Sequence, residues 1–172
     1  MSTDVATGSW KLDSARSNVA FKQKGMWGLV TVRGTFTTVS GEGEVYPDGT
    51  AAGAIAVDSK SVDTGNAKRD QHLRSADFFE CERHPTITFA VARAATGEGD
   101  KVQVEGELTV RGVSRPQAVE AVVRQEQDGS VVLSTEFQVE RADHGITWNQ
   151  LSAMRGPTTV SATLHFTRAG TA

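Results

Sequence analysis

One cysteine, one tyrosine and four prolines stand in a chain of 172 residues, against seventeen glycines. The lone Cys81 excludes an intrachain disulfide and fits a reducing compartment. Neither sign of charge prevails: 18 basic and 21 acidic side chains leave a net of −3, which argues against nucleic acid as the main partner. No apolar run reaches the roughly 18 residues of a spanning helix, and the first nine residues carry neither the basic nor the apolar part of a secretory signal. The chain ends without a prenylation box. A cytoplasmic protein with no transmembrane segment is therefore the expectation.

Chemistry-bearing motifs are equally scarce. The four histidines, His72, His84, His144 and His165, form no HxH or HExxH spacing, and the single cysteine permits no CxxC pair. There is no G-x-S-x-G elbow. Glu80 and Glu82 flank Cys81 and are expected to raise its pKa, blunting it as a nucleophile. The glycine pairs at residues 41–43 and 97–99 lack the helix and Lys-Ser/Thr of a phosphate cradle. No catalytic residue, metal or cofactor is expected.

What is present is alternation with period two, in eight runs. One face carries Val19 and Phe21, then Val30, Val32 and Phe36, then Ile55 and Val57, then Ile87, Phe89 and Val91. It continues with Val102, Val104, Leu108 and Val110, with Val119, Ala121 and Val123, and with Val131, Leu133, Phe137 and Val139. Val160, Ala162, Leu164 and Phe166 complete it, while His165 falls on the polar phase as a surface residue. Turn residues separate the runs at 47–49 (PDG), 97–99 (GEG), 111–112 (RG) and 128–129 (DG). The length suits one domain with a substantial core, here residues 9–169 behind a flexible N-terminus of residues 1–8. An all-β, eight-stranded antiparallel barrel would remove every exposed edge, although a two-sheet sandwich gives the same alternation.

Two stretches break the pattern. Residues 66–78 form a charged, helix-capable insert, capped by Thr64 or Asn66 and anchored on the barrel mouth by Leu73 with Phe78 or Phe79. Residues 142–157 combine Ile146, Trp148, Leu151 and Met154 with turn residues and are expected to fold over the opposite strands or end. In a small barrel the inward side chains either fill the core or leave room for one ligand. Gly34, Gly53, Gly106, Ala121 and Ala162 are small inward positions that would leave space beside the phenylalanines. Such a pocket, lined by Phe21, Val32, Phe36, Ile55, Val57, Phe78, Phe89, Leu108, Phe137, Trp148, Leu164 and Phe166, suits an unbranched or isoprenoid chain. Arg69, Arg74 or Arg141 would meet a polar head group with an arginine's fork of donors. Leu29, Val39 and Val122 leave apolar surface outside, consistent with a homodimer. Two rivals remain: an enzyme or metal-dependent protein using His72, His84 or His144 at the mouth, and a solid barrel acting only as a protein-interaction module.

Several motifs occur in one order along nearly the whole chain. They are WKLD at 10–13, SNVAF at 17–21, VRGTF at 32–36, SVDTG at 61–65, RDQHLRSADFF at 69–79, HPTITF at 84–89, GELTVRG at 106–112 and RADHGI at 141–146. Together they resemble the YceI-like family. The resemblance implies a lipocalin-like barrel with a helical insert that holds the prenyl tail of a polyprenyl or prenylquinone-like lipid, and no catalytic residue. Arg69, Asp70, Leu73, Arg74, Asp77 and Phe78 match its most recognisable motif. Two departures, Arg16 in place of a histidine and His144 in place of an aromatic, are expected to alter the pocket mouth.

Overall fold

The computed structural model describes residues 5–149 and 153–169, so Leu151 and the first four residues of the expected flexible terminus lie outside it. Eleven strand segments make eight strands, because the first three strands are each interrupted. The first consists of β1 (Gly8–Leu12) and β2 (Asn18–Gly25), the second of β3 (Val30–Phe36) and β4 (Val39–Val45), the third of β5 (Ala51–Asp58) and β6 (Val62–Asp63). β7 (Thr86–Thr96), β8 (Lys101–Val110), β9 (Val113–Gln125), β10 (Val131–Val139) and β11 (Arg155–Arg168) follow without a break. Each strand pairs antiparallel with the next, and β11 closes the ring by pairing with both β1 and β2. Closure removes the two long edges that an open sheet would expose.

The interruptions have local causes. Asp13 accepts the Ala15 backbone N–H and Asp58 that of Lys60, each capping one 3-10 turn, at Ser14–Arg16 and at Ser59–Ser61. A short carboxylate satisfying nearby N–H groups pulls the chain out of the ladder for one turn. The Arg111–Gly112 hairpin has φ of 53° and 72°, the left-handed pair that a two-residue connection requires. Among the described residues no helix is long and apolar enough to cross a membrane.

The period-two faces point inward as the alternation demands, but three details differ. Val39 is buried in the core beside Leu12, Val19 and Phe36, so it offers nothing to a dimer. Val30, the first residue of β3, is exposed. The inward glycines are not spare volume. A Cβ on Gly53 would stand 2.3 Å from the Glu42 carbonyl oxygen, one on Gly106 2.3 Å from that of Ala90, and one on Gly34 2.5 Å from the Phe21 ring. Backbone or a ring already fills each place. Gly106→Ala should therefore lower stability by about 1–3 kcal/mol, read by urea unfolding; an unchanged midpoint would contradict the close approach.

The helical insert is α1 (Ala67–Arg74), shorter than the pattern predicts. Asn66, not Thr64, caps it, accepting the Arg69 N–H at 3.0 Å. Ser75 ends it by bonding back to the His72 carbonyl, and the chain then descends through turns to β7. The insert and residues 140–149 sit at one and the same end of the barrel. The His72 and Trp148 rings meet edge to face at 4.6 Å between centroids, so of the two placements expected for the second stretch, over the opposite strands or the opposite end, the opposite end is not where Trp148 lies.

Candidate functional site

A cavity of about 930 Å³ runs through the barrel. Its walls are the inward faces of all eight strands, from Phe21 and Val32 through Ile87 and Phe89 to Leu164 and Phe166. At one end it reaches α1 and the loop after β10; at the other it opens beside the turn at residues 46–49 and beside Thr96. The twelve apolar residues singled out by alternation, by the insert motif and, for Trp148, from the second irregular stretch all stand on its lining. The wall is predominantly aliphatic and aromatic, with Phe36 packed against Phe21 at 5.5 Å and against Phe79 at 5.6 Å between ring centroids.

Polar groups gather at the ends and divide by sign. At the α1 end the charged lining residues are Lys24, Arg69 and Arg141; at the far end they are Glu42, Glu44 and Asp48, with the Glu44 carboxylate turned out to the Ser9 hydroxyl and that of Asp48 to Thr50. Arg69 is held by its neighbour Thr64, donating from Nε to Oγ1 at 2.8 Å and from Nη2 to the carbonyl at 3.0 Å. Arg141 donates from Nη1 to the carbonyls of Ile146 and Trp148. Burial holds the Arg141 guanidinium below its ordinary value, and the nearby Glu140 charge opposes the shift. Arg74 is placed elsewhere. It is not on the lining, and its donors are spent on the carbonyls of Lys60 and Val62.

Alternation did not single out Gln23, which occupies the inward phase of β2 after Val19 and Phe21. It is buried, its Nε2 donates to the Arg155 and Gly156 carbonyls, and its Oε1 accepts from Thr158 where the β2–β11 register shifts. A polar residue on an apolar phase was the available signal.

The histidines scatter. His72 lines the cavity and contacts Asp77 at 2.8 Å. His144 also lines it, buried, with Nδ1 donating to the Val113 carbonyl. The His84 ring packs over Gly112. His165 is not the surface residue its phase implies: it is half-buried, and its Nδ1 is shut away from solvent without a hydrogen-bond partner. Among the described residues no group of three or more His, Cys, Asp or Glu side chains is placed to hold a metal ion. Arg16 also departs from expectation, pairing on the outer wall with Asp13 and Asp128, away from the mouth. The Cys81 thiol is buried and pushed up chiefly by that burial, with Ser59 opposing; the flanking glutamates are not the cause.

The insert is fastened to the barrel by Glu80, which meets Arg111 at 2.9 Å and Arg83 at 3.3 Å. The Arg111 hydrogen bond, with the charges of Arg83 and Arg111, holds the Glu80 carboxyl below its ordinary 4.5 against a partial desolvation. A lowered folded-state value means the contribution is fully present above about pH 4.5 and is lost as pH falls through the folded value. Between neutral pH and pH 3 the melting temperature of the wild type should thus fall further than that of Glu80→Gln. Parallel curves would show that the contact carries no stability.

Comparison with known proteins bears on what such a cavity serves. A family model described as the YceI-like domain matches residues 10–167. A UPF0312 protein of Vibrio cholerae serotype O1 is 31% identical over 109 residues, 62% of this chain and 57% of the relative. The chain thus spans little more than half the length of that relative. Among solved structures, BcnA of Burkholderia cenocepacia superposes with a TM-score of 0.82 at 21% identity, covering 90% of this chain and 98% of the other. A polyisoprenoid binding domain from Saccharophagus degradans, implicated in plant cell wall breakdown, gives 0.76 at 19% identity, covering 95% and 100%. At these identities the likeness is one of fold.

Proposed function

This chain belongs to the YceI-like domain family, and from that membership and the cavity we propose that it binds and carries a long-chain isoprenoid lipid, polyprenyl or prenylquinone-like. The observation that carries this reading is the through-running apolar cavity of about 930 Å³, near the top of the roughly 300–1,000 Å³ range of small-molecule sites. The tail lies along the inward faces, past Phe21, Phe89 and Phe137. The head group sits at the α1 end, within reach of Arg69 and Arg141, the two guanidinium groups that line the cavity there. Arg74 drops out of the head-group set because it does not line the cavity. The polyisoprenoid binding domain named above supports the ligand class by analogy of fold.

Carriage needs no catalytic group, and none is assigned. We place the carrier in the cytoplasm, a reading supported by the buried, unpaired Cys81 thiol; recovery with the periplasmic fraction of its source cell would contradict it. Ligand uptake is tested by displacing an apolar fluorescent dye with prenyl alcohols of increasing length. Each buried methylene contributes about 0.8 kcal/mol, so affinity should climb with length and level off once the cavity is full. Failure of every prenyl alcohol to displace the dye would sink the reading.

A further inference from the structure

The loop joining β2 to β3 presents apolar side chains to water at the same barrel end as α1. Met26 is 55% exposed, Trp27 52%, Leu29 83% and Val30 43%. These four are contiguous in the chain apart from Gly28, and they make up most of the large exposed hydrophobics of the described residues. The tip is shaped, not frayed. Met26 and Trp27 hold φ of 46° and 57° ahead of Gly28 at 93°, a left-handed run that side chains rarely adopt. The Trp27 N–H bonds to the Ala153 carbonyl at 2.8 Å and the Leu29 N–H to that of Met26, fixing the turn.

Behind the tip lies a collar of cations. Lys22 stands directly opposite Arg33 across β2 and β3, and Lys24 directly opposite Arg155 across β2 and β11. Like charges facing each other across a ladder repel. Among the described residues none of the four takes part in an ion pair. One carboxylate, Asp63, shares the shallow depression of Lys22 and Arg33, and it accepts the Gly65 N–H. This collar is basic on a chain whose net charge is −3.

We propose that the β2–β3 tip docks on the surface of an anionic lipid bilayer. Tryptophan and leucine enter the headgroup and acyl boundary, while the collar meets acidic headgroups and loses its self-repulsion. The chemistry matches in both parts: an apolar wedge with basic flanks suits a negatively charged interface. The position matches as well, because Lys24 and Gly25, at the base of the tip, line the cavity mouth together with Met154. Docking would set that mouth against the membrane. The surface is independent of the cavity's content, since vesicles without any prenyl lipid measure it.

The test is flotation with phosphatidylcholine vesicles, alone or with about one-third phosphatidylglycerol. The protein should float with the anionic vesicles and not with the neutral ones, and added salt should weaken the association. The W27S/L29S double variant should bind about tenfold less or worse. K22E/R33E should lose about fivefold for each cation removed. Absence of wild-type flotation, or equal flotation of W27S/L29S, would overturn docking. So would a wild-type dimer in sedimentation that becomes a monomer in W27S/L29S, because a second copy of the chain would then own the tip.

Discussion

Ala162→Phe should cut prenyl-lipid uptake about a hundredfold while moving the melting temperature by no more than about 3 °C. Ala162 lies on β11 between Val19 of β2 and Thr135 of β10, on the cavity wall in the middle of the barrel. A ring placed there enters space that the ligand's tail would occupy. Excluding about four methylenes at 0.8 kcal/mol each removes about 3 kcal/mol of binding, hence the hundredfold. In a filled barrel the same ring would meet packed side chains and cost about 1–3 kcal/mol of stability. Uptake by dye displacement and stability by thermal unfolding, measured on one variant, thus separate a hollow barrel from a solid one. Normal uptake would move the ligand out of the barrel altogether.

Asp70→Ala should remove about 3 kcal/mol of stability and lower the melting temperature by roughly 6–12 °C. Asp70 is 7% exposed, and its Oδ1 accepts both the backbone N–H of Thr64 at 2.8 Å and the Thr64 hydroxyl at 2.5 Å. The same hydroxyl oxygen accepts from Arg69. One carboxylate therefore fixes the start of the insert and, through Thr64, the arginine at the cavity mouth. Alanine leaves the Thr64 N–H without its acceptor, the costly side of a lost hydrogen bond. Asp70→Asn keeps one acceptor oxygen and should lose less. A change below about 1 kcal/mol for alanine would mean that the insert is held by its other contacts, the packing of Leu73, Phe78 and Phe79 and the Glu80–Arg111 pair, without Asp70.

The strands after the insert were legible because most of their inward residues are large and apolar, as in β8 and β10, with only Gly106 and Thr135 breaking the run. In the second strand only β3 was: the inward phase of β4 passes through Gly41 and Gly43, which carry no side chain to betray it. The placing of the two irregular stretches at one end was not legible either. It follows from the up-and-down order of eight strands, and no local feature near Trp148 announces His72 as its neighbour. The apolar wall was readable residue by residue, since inwardness is a property of phase. The arginines were not, because phase says nothing about whether a guanidinium on the insert lies away from the cavity, as Arg74 does, or lines it, as Arg69 does. His165 misled for a related reason: the outward face of β11 is covered where the chain around Ser17 crosses it, the Ser17 hydroxyl oxygen accepting the His165 backbone N–H. The glycines show the opposite error, in which smallness read as free space is in fact the close approach of two strands.

The central claim is that the barrel holds an isoprenoid lipid. Native mass spectrometry of the protein purified from its own source cell, followed by organic extraction of what it releases, tests this most directly. A prenyl lipid at about one per chain, released on unfolding, is the predicted result, and its head group would show which molecule Arg69 and Arg141 face. A protein that arrives empty and takes up no added prenylquinone or polyprenyl lipid would contradict the account.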